Sequence, residues 1–529
     1  MRGAGIAVAI ALCTPAAARA QQCDTVWSRT SLAEVAGRTI RDVRVETRGT
    51  DALPGIAGAF DRLHVTTREG TIRRLLLVAP GEPVDTLRVA ESLRRLRHLR
   101  YLGDAVIGAA SCDGGPVDLT VITRDLWSAK PTAQIRSTRQ SIGVTERNAF
   151  GTGREATIGL RSDASGVGVT LGMADPWFLG RDVSLNVNAA GDGERGSWLG
   201  VMQNHEHSLL DPWAIETHAG STALTTQTVD TTGVPIAGIE ALRRTRAGVL
   251  GTRRLHASSS AVVGLIGGVE YDRLAWETKF GTHEAGVRDF VGADIGVRRR
   301  SVAYDTLTWM LPGSALVDVP LSTDADVLVG GGRDRVAGAA ATRVDAWVGR
   351  MWQPTSRSLL VTDAWGSGYR GSGLWTDATL RAALTFYHAA ARGLWTVRVD
   401  GEKWFASDPD VIELVTADPT IRAYTDRSFG LGRVASASLD REVRLRQLSR
   451  SWWLDGAAFV AASDRGVGRV ALVGFGLRMA PARLGRATAR LDFAVPVAGS
   501  GAVRNRPFIA IGITPWLEQD RMRDGRLPR

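Results

Sequence analysis

The stretch Ala471–Val497, ALVGFGLRMAPARLGRATARLDFAVPV, decides the fold. Its first half sets Val473, Phe475, Leu477 and Met479 against Gly474, Gly476 and Arg478. Its second half sets Leu491, Phe493, Val495 and Val497 against Arg490, Asp492 and Ala494. A period of two is that of a β-strand, whose successive side chains point to opposite faces. Each strand thus carries one apolar face and one small or charged face. The pattern recurs in both directions. Val167, Val169, Leu171 and Met173 oppose Gly168, Thr170 and Gly172, and Val183, Leu185 and Val187 oppose Ser184, Asn186 and Asn188. Ile509, Ile511 and Ile513 oppose Ala510, Gly512 and Thr514 in the last strand. The period starts near Gln134, and the strands of 225–350 are too poorly marked to place.

An all-β segment over 130–517 has two explanations. In a soluble sandwich the apolar face is the core; in a transmembrane barrel it faces lipid around a polar lumen. The small-or-polar composition of the second face favours the barrel. So do aromatics beside turns (Trp177, Phe178, Trp213, Trp352, Trp452, Trp453 and Trp516), which could form interfacial girdles. At about 24 residues per strand and loop, the segment would hold roughly sixteen antiparallel strands. No run of 18 apolar residues suggests a membrane helix.

Residues 1–20 read as an export signal: Arg2, a short apolar run Ile6–Cys13, and the small-x-small site Ala18-Arg19-Ala20. The mature chain would begin at Gln21, with a tail over 21–36. Export places Cys23 and Cys112 in an oxidising compartment, where they could pair; spacing alone leaves this open. The net charge of +10 does not indicate nucleic acid, because arginines and acids interleave along the whole chain without a basic run.

Residues 37–128 read as a small α/β domain. Thr39–Thr47 alternates; Phe60–Val78 reads as helical; Asp85 can cap a helix whose apolar face is Val89, Leu93, Leu96 and Leu99–Leu102. Arg88, Arg94, Arg95, Arg97 and Arg100 form its other face, read first as a solvated stripe and alternatively as a contact for lipid headgroups or a partner. The strands Ala105–Ala110 and Val117–Thr123 follow, joined by Asp113-Gly114-Gly115. The two Asp-Pro-Trp turns, Asp175–Trp177 and Asp211–Trp213, look like one hairpin device used twice.

Near the C-terminus, a long loop carries Ile421-Arg422-Ala423-Tyr424, and the strand after it carries Glu442. An arginine and a carboxylate so placed could pair in a sheltered lumen, where the pair is worth more than on a surface.

Together, the export signal, TIRRLLLVAPGEPVD, ESLRRLRHLRYL and VDLTVITRDLWS, the NAFGTG and DPW strands, the IRAY loop, VGFGLR and RLDFAVPV resemble the BamA/TamA superfamily of outer-membrane barrels, the bacterial surface antigen family, with 37–128 as one POTRA-like domain. The resemblance implies a mostly β chain: a transmembrane antiparallel barrel in the outer membrane, preceded by a small periplasmic α/β domain. It implies a lumen-tucked loop motif at Ile421, Arg422, Ala423 and Tyr424, with Ala423 replacing the family glycine, and Glu442 as partner of Arg422. A second acidic partner would follow Gly456–Phe459, where Ala461 stands; Asp455 or Asp464 could substitute. The implied activity is insertion or translocation of polypeptide without covalent chemistry. The implied partners are outer-membrane lipid, an unfolded or secreted polypeptide and periplasmic proteins on the POTRA-like domain. Gly512, with Pro507, Pro515 and Trp516, would mark a weak barrel seam. A polar tail, 518–529, follows.

The alternatives are a channel or lipid-translocating barrel, and an outer-membrane hydrolase. No G-x-S-x-G elbow occurs, and GTGREA lacks the βαβ unit a dinucleotide fingerprint needs. His205-Glu206-His207 offers two metal ligands on one strand face without a third nearby, so no metal or cofactor is expected.

Overall fold

The computed structural model describes residues 24–26, 32–49, 65–99, 101–111, 115–135, 139–163, 166–191, 196–204, 208–224, 228–229, 235–258, 260–280, 286–302, 304–307, 309, 317–320, 323–371, 374–406, 433–449, 452–464, 469–481, 487–499 and 508–515. The small domain comprises β1 (Asp24–Val26), β2 (Ile40–Arg48), α1 (Glu69–Arg73), α2 (Thr86–His98), β3 (Leu102–Ser111) and β4 (Val117–Asp125). Its sheet has the order β1-β3-β4-β2, with β2 parallel to β4. Asp85 caps α2 by accepting from the amides of Leu87 and Arg88, satisfying donors that a helix start leaves open. Val89, Leu93 and Leu96 then bury their face against Val43, Ile107, Leu119 and Val121. The helical reading of Phe60–Val78 shrinks to α1. Residues 51–64 lie outside the description, and the chain leaves the helix after Arg73, ahead of Pro80.

The large sheet is entirely antiparallel. Its first strands are β5 (Ala129–Ile135), β6 (Arg139–Ala149), β7 (Arg154–Asp163), β8 (Gly166–Asp175), β9 (Val183–Gly191), β10 (Gly196–Asn204), β11 (Trp213–Leu224), the two-residue β12 (Thr228–Val229), β13 (Pro235–Ala257), β14 (Ala261–Phe280) and β15 (Gly286–Ser301). A separate hairpin, β16 (Tyr304–Leu307) and β17 (Val317–Pro320), interrupts the series. The sheet resumes with β18 (Thr323–Asp334), β19 (Ala339–Thr355), β20 (Ser358–Gly371), β21 (Leu374–Ala390), β22 (Gly393–Ala406), β23 (Arg433–Ser449), β24 (Trp452–Asp464), β25 (Arg469–Pro481), β26 (Ala487–Gly499) and β27 (Phe508–Pro515). β27 pairs with β5, so the strand order returns to its start.

Among the described residues this sheet holds twenty-one strand segments, β12 included, which corrects the expectation of about sixteen. The reason is short strands, seven to twelve residues each over β5 to β11, together with turns as short as Ala391-Arg392 between β21 and β22. A spacing of about 24 residues per strand is too generous for turns of that length.

The two faces of the sheet are inverted relative to a water-soluble core. Val167, Val169, Leu171 and Met173 are each between 43 and 66% exposed, and Phe475 is 63% exposed. On the opposite face Glu270, Asp294, Asp326, Arg478 and Asp492 are all under 5% exposed. Water would favour the reverse, since exposed apolar area costs free energy there and buried charge is tolerated only when paired. The outward face suits hydrocarbon and the inward face is a polar interior. No described helix is long and apolar enough to cross a membrane, which says nothing against crossing by strands.

Candidate functional site

Three features of the sheet stand out: a charged inner wall, a short seam, and a junction with the small domain. The wall is built from alternation. Inward positions on neighbouring strands share rows, and small residues in those rows let long side chains lie flat across them. Glu442, Ala457, Gly476 and Asp492 form one row across β23 to β26. Arg478 lies along it, with Nη1 2.6 Å from Asp492 Oδ1 and Nε 3.6 Å from Glu442 Oε1. A Cβ at Gly476 would meet Asp492 Oδ1 at 2.3 Å and Arg478 Nη1 at 2.7 Å, so glycine there makes the bridge possible.

The same device recurs on β14 to β19. Arg343 on β19 reaches across Gly330 of β18 to Asp294 on β15 (2.7 Å), and on to Glu270 on β14 (2.6 Å). A Cβ at Gly330 would sit 2.3 Å from Asp294 Oδ1. Asp272 receives Arg244 and Arg246, and Asp326 receives Arg298 and Arg300. Sequence reading missed these clusters. Their signal was available in Arg478, Arg490 and Asp492: charges on otherwise small, inward faces of consecutive strands.

The seam differs in kind. β27 and β5 share two register pairs, Ile511 with Ile135 and Gly512 with Gln134. On its other side β27 pairs with β26 through eight, from Ala487–Pro515 to Ala494–Phe508. Gly512 thus stands at the seam and Pro515 at the end of β27; Pro507 and Trp516 lie outside the described residues. So do Ile421, Arg422, Ala423 and Tyr424, Cys23 and Cys112, and His205–His207. Glu442 lies on β23 and pairs with Arg478; of the two acids named beside Gly456–Phe459, Asp455 pairs with Arg444 at 3.7 Å and Asp464 with Arg433 and Arg469 at 3.4 and 3.0 Å.

The small domain is fixed to the end of the sheet where β5 begins. Asp125 accepts from the Thr67 amide (2.7 Å) and hydroxyl (2.8 Å). Asn148, in the NAFGTG turn, donates to the Thr67 hydroxyl and accepts from the Gly153 amide, both at 2.8 Å. The Gly151 carbonyl of the same turn receives the Arg68 amide and the Thr71 hydroxyl. Trp177 is buried in the core of the small domain, which corrects its reading as a girdle residue. The two Asp-Pro-Trp turns therefore differ. Asp175 accepts from the Trp177 amide and pairs with Arg154, whereas Trp213 starts β11 and is about half exposed.

The arginine stripe of α2 is corrected too. Arg94 is clamped by Glu91 at 2.6 Å, Glu91 also accepts the Leu209 amide, and Arg95 is buried. Burial pushes the Arg95 guanidinium down from its usual value while Glu91 pulls it back up. Arg97 donates to the Ala105 carbonyl and to the Thr306 hydroxyl (3.3 Å) on the β16–β17 hairpin. Arg94 also lies over the Tyr304 ring. The opposite face of that hairpin, Leu307 and Val319, packs with Met351 and Leu359 of the sheet. Arg94, Arg95 and Arg97 are thus covered by the sheet's turns and hairpin, whereas Arg88 stays partly exposed beside Glu82 and Arg100 lies outside the described residues. Among the described residues no group of three or more metal-ligating side chains converges.

No protein-family profile matches the chain. In sequence it is 27% identical over 149 residues to the outer membrane protein assembly factor BamA of Neisseria meningitidis serogroup B, a match covering 26% of this chain and 19% of that protein. The match thus spans about a fifth of the curated relative's length. Similar solved structures include BamA of Haemophilus ducreyi lacking POTRA domains 1–3 (11% identity, 90% of this chain and 84% of that one, TM-score 0.35). CdiB of Escherichia coli is another (10% identity, 93% and 80%, TM-score 0.42). The sequence match bears out the resemblance to the BamA/TamA superfamily read from the motifs.

Proposed function

We propose that the chain is an outer-membrane β-barrel of the BamA/TamA type that assists insertion of outer-membrane proteins or translocates polypeptide, and performs no covalent chemistry. The observation that carries this reading is the seam. Two register pairs join β27 to β5 in a sheet whose other long strands zip along most of their length. An incoming strand can pair with such an edge and pass sideways into lipid. The exposed apolar outer face and the paired charges inside support a membrane position. The small domain, proposed as POTRA-like and periplasmic, would hand polypeptide to the end of the barrel to which it is bonded. The matched relative is itself called an assembly factor.

Two further parts of the reading concern residues outside the description. Arg422 is proposed to reach Glu442 beside Arg478, so that Arg422→Ala lowers both barrel stability and insertion activity. Cys23 and Cys112 are proposed to form a disulfide, because their sequence neighbours Asp24 and Ser111 are register partners. Alkylation and mass measurement with and without reductant tests it.

The main test has two steps. Purified protein is run on a gel with and without boiling, and a mobility shift is expected of a membrane barrel. Insertion of a model barrel substrate into liposomes is then measured. Ion conductance with no insertion would favour the channel reading, and detergent-free solubility with no gel shift would overturn the barrel.

A further inference from the structure

Phe150 and Leu179 are the non-glycine residues with left-handed backbone among the described residues, at φ 59° and 55°. Both are large, apolar and very exposed, at 71 and 78%. Their turns have the same build. The next residue is a glycine, Gly151 or Gly180, whose amide donates to a carbonyl three residues earlier, Asn148 or Trp177, at 2.8 Å. That puts Phe150 and Leu179 at the third turn position, where a positive φ makes glycine or asparagine the usual choice. A bulky side chain there strains the backbone and gains no core contact in return. The fold alone therefore does not account for either residue, and an apolar medium outside the chain would.

We propose that these two turn tips insert into the lipid interface at the end of the barrel that carries the small domain. The proposal rests on the membrane reading above. Three observations favour lipid over a protein partner. The tips cap β6–β7 and β8–β9, whose outward rows Ile142, Val144, Ile158, Leu160, Leu171 and Met173 are exposed and apolar, so the tips extend an apolar surface already present. They stand on separate turns rather than lining one groove. Arg181, two residues after Leu179, is exposed as a cation facing headgroup phosphates would be, while Arg154 near Phe150 is exposed but paired with Asp175. Being two strands apart and close to β5, the anchors would hold the bilayer against the wall next to the seam.

The test uses nitroxide labels at Phe150→Cys, Leu179→Cys and, as a mid-wall control, Val169→Cys. The full chain is reconstituted in vesicles of phosphatidylcholine and phosphatidylglycerol. The parent protein labelled alike supplies the background of Cys23 and Cys112. Accessibility to oxygen and to a water-soluble nickel chelate is compared. Both tip labels are expected to favour oxygen, at a depth shallower than the Val169 label. Tip labels that favour the nickel chelate while Val169 favours oxygen would overturn the anchor and leave the barrel standing. A Val169 label open to nickel would overturn the membrane reading itself. As a second readout, the double variant Phe150→Asn/Leu179→Asn should fold in detergent at least as well as the parent, because the turn is relieved. Its folding into vesicles should be slower by about tenfold, the loss of two interfacial apolar groups. Unchanged vesicle folding would count against the anchor.

Discussion

The junction of β13 with β14 and that of β27 with β5 use the same backbone chemistry to opposite effect. The first runs through eighteen register pairs and carries Arg246 beside Asp272 on its inward side. The second has two pairs among the described residues, one of them at Gly512. A backbone hydrogen bond contributes a net 0.5–1.5 kcal/mol, roughly, so ladder length decides which junction opens first. Side chains reinforce the contrast. Arg343 ties β19 to β15 and β14, and Arg478 ties β25 to β26 and β23. Both clusters bind the wall across several strands, which leaves the seam as the place where strain can be relieved.

The largest expected effect comes from removing this contrast. Gln134→Cys with Gly512→Cys places a disulfide across a register pair, and oxidation should abolish insertion of a model substrate into liposomes, with recovery on reduction. Val249→Cys with Val269→Cys, a register pair inside the long junction, should leave activity unchanged in either state. Equal activity of the oxidised seam variant would mean that the seam does not open.

Next in size is the wall. Arg343→Met removes the cation that Glu270 and Asp294 share in a buried place, and loss of one partner of such a cluster costs about 3–5 kcal/mol. The temperature at which the unboiled gel form disappears should fall, while the seam cross-link, once formed, should not restore it. No fall would show that ladder length alone holds the wall. Smaller again is Arg97→Ala, which removes a bond to Ala105 of β3 and a bond to Thr306 of the β16–β17 hairpin. A loss of about 1 kcal/mol and faster proteolysis within 304–320 are expected, with the wall unaffected.

The parts of this comparison were unequally legible in the sequence. The period of two in Val473–Met479 and Leu491–Val497 identified strands and their two faces, because alternation is a local property. The cap at Asp85 was local too. Number of strands was not, since it depends on turns as short as that between β21 and β22. Nor was the covering of Arg94, Arg95 and Arg97: a helix face reads as solvated until the β16–β17 hairpin, far along the chain, is laid on it. Trp177 looked like Trp213 because both follow Asp-Pro, yet only tertiary placement puts the first into the small domain's core. Gly330 and Gly476 read as generic small-face residues, and their role in letting Arg343 and Arg478 cross a strand exists only in the assembled sheet.

The smallest effect calibrates the others. Arg41 and Asp118 join β2 to β4 in the small domain by a two-point bond, with Arg41 largely in solvent. The Arg41 guanidinium holds the Asp118 carboxyl below its ordinary value of 3.8. A depressed folded pKa stabilises the fold above the unfolded value, and the contribution fades as pH falls through 3.8 towards the folded one. Solvent screening keeps it small. Asp118→Asn should therefore unfold at slightly lower temperature than the parent at neutral pH, and the difference should vanish in strong acid. Salt should shrink the neutral-pH difference as well, because an exposed pair is screened within a Debye length. The Arg343 deficit should resist salt, because that cluster is shielded from solvent. If both deficits shrink alike, the inner wall is as wet as the surface, and its ion pairs are not what distinguishes it from the seam.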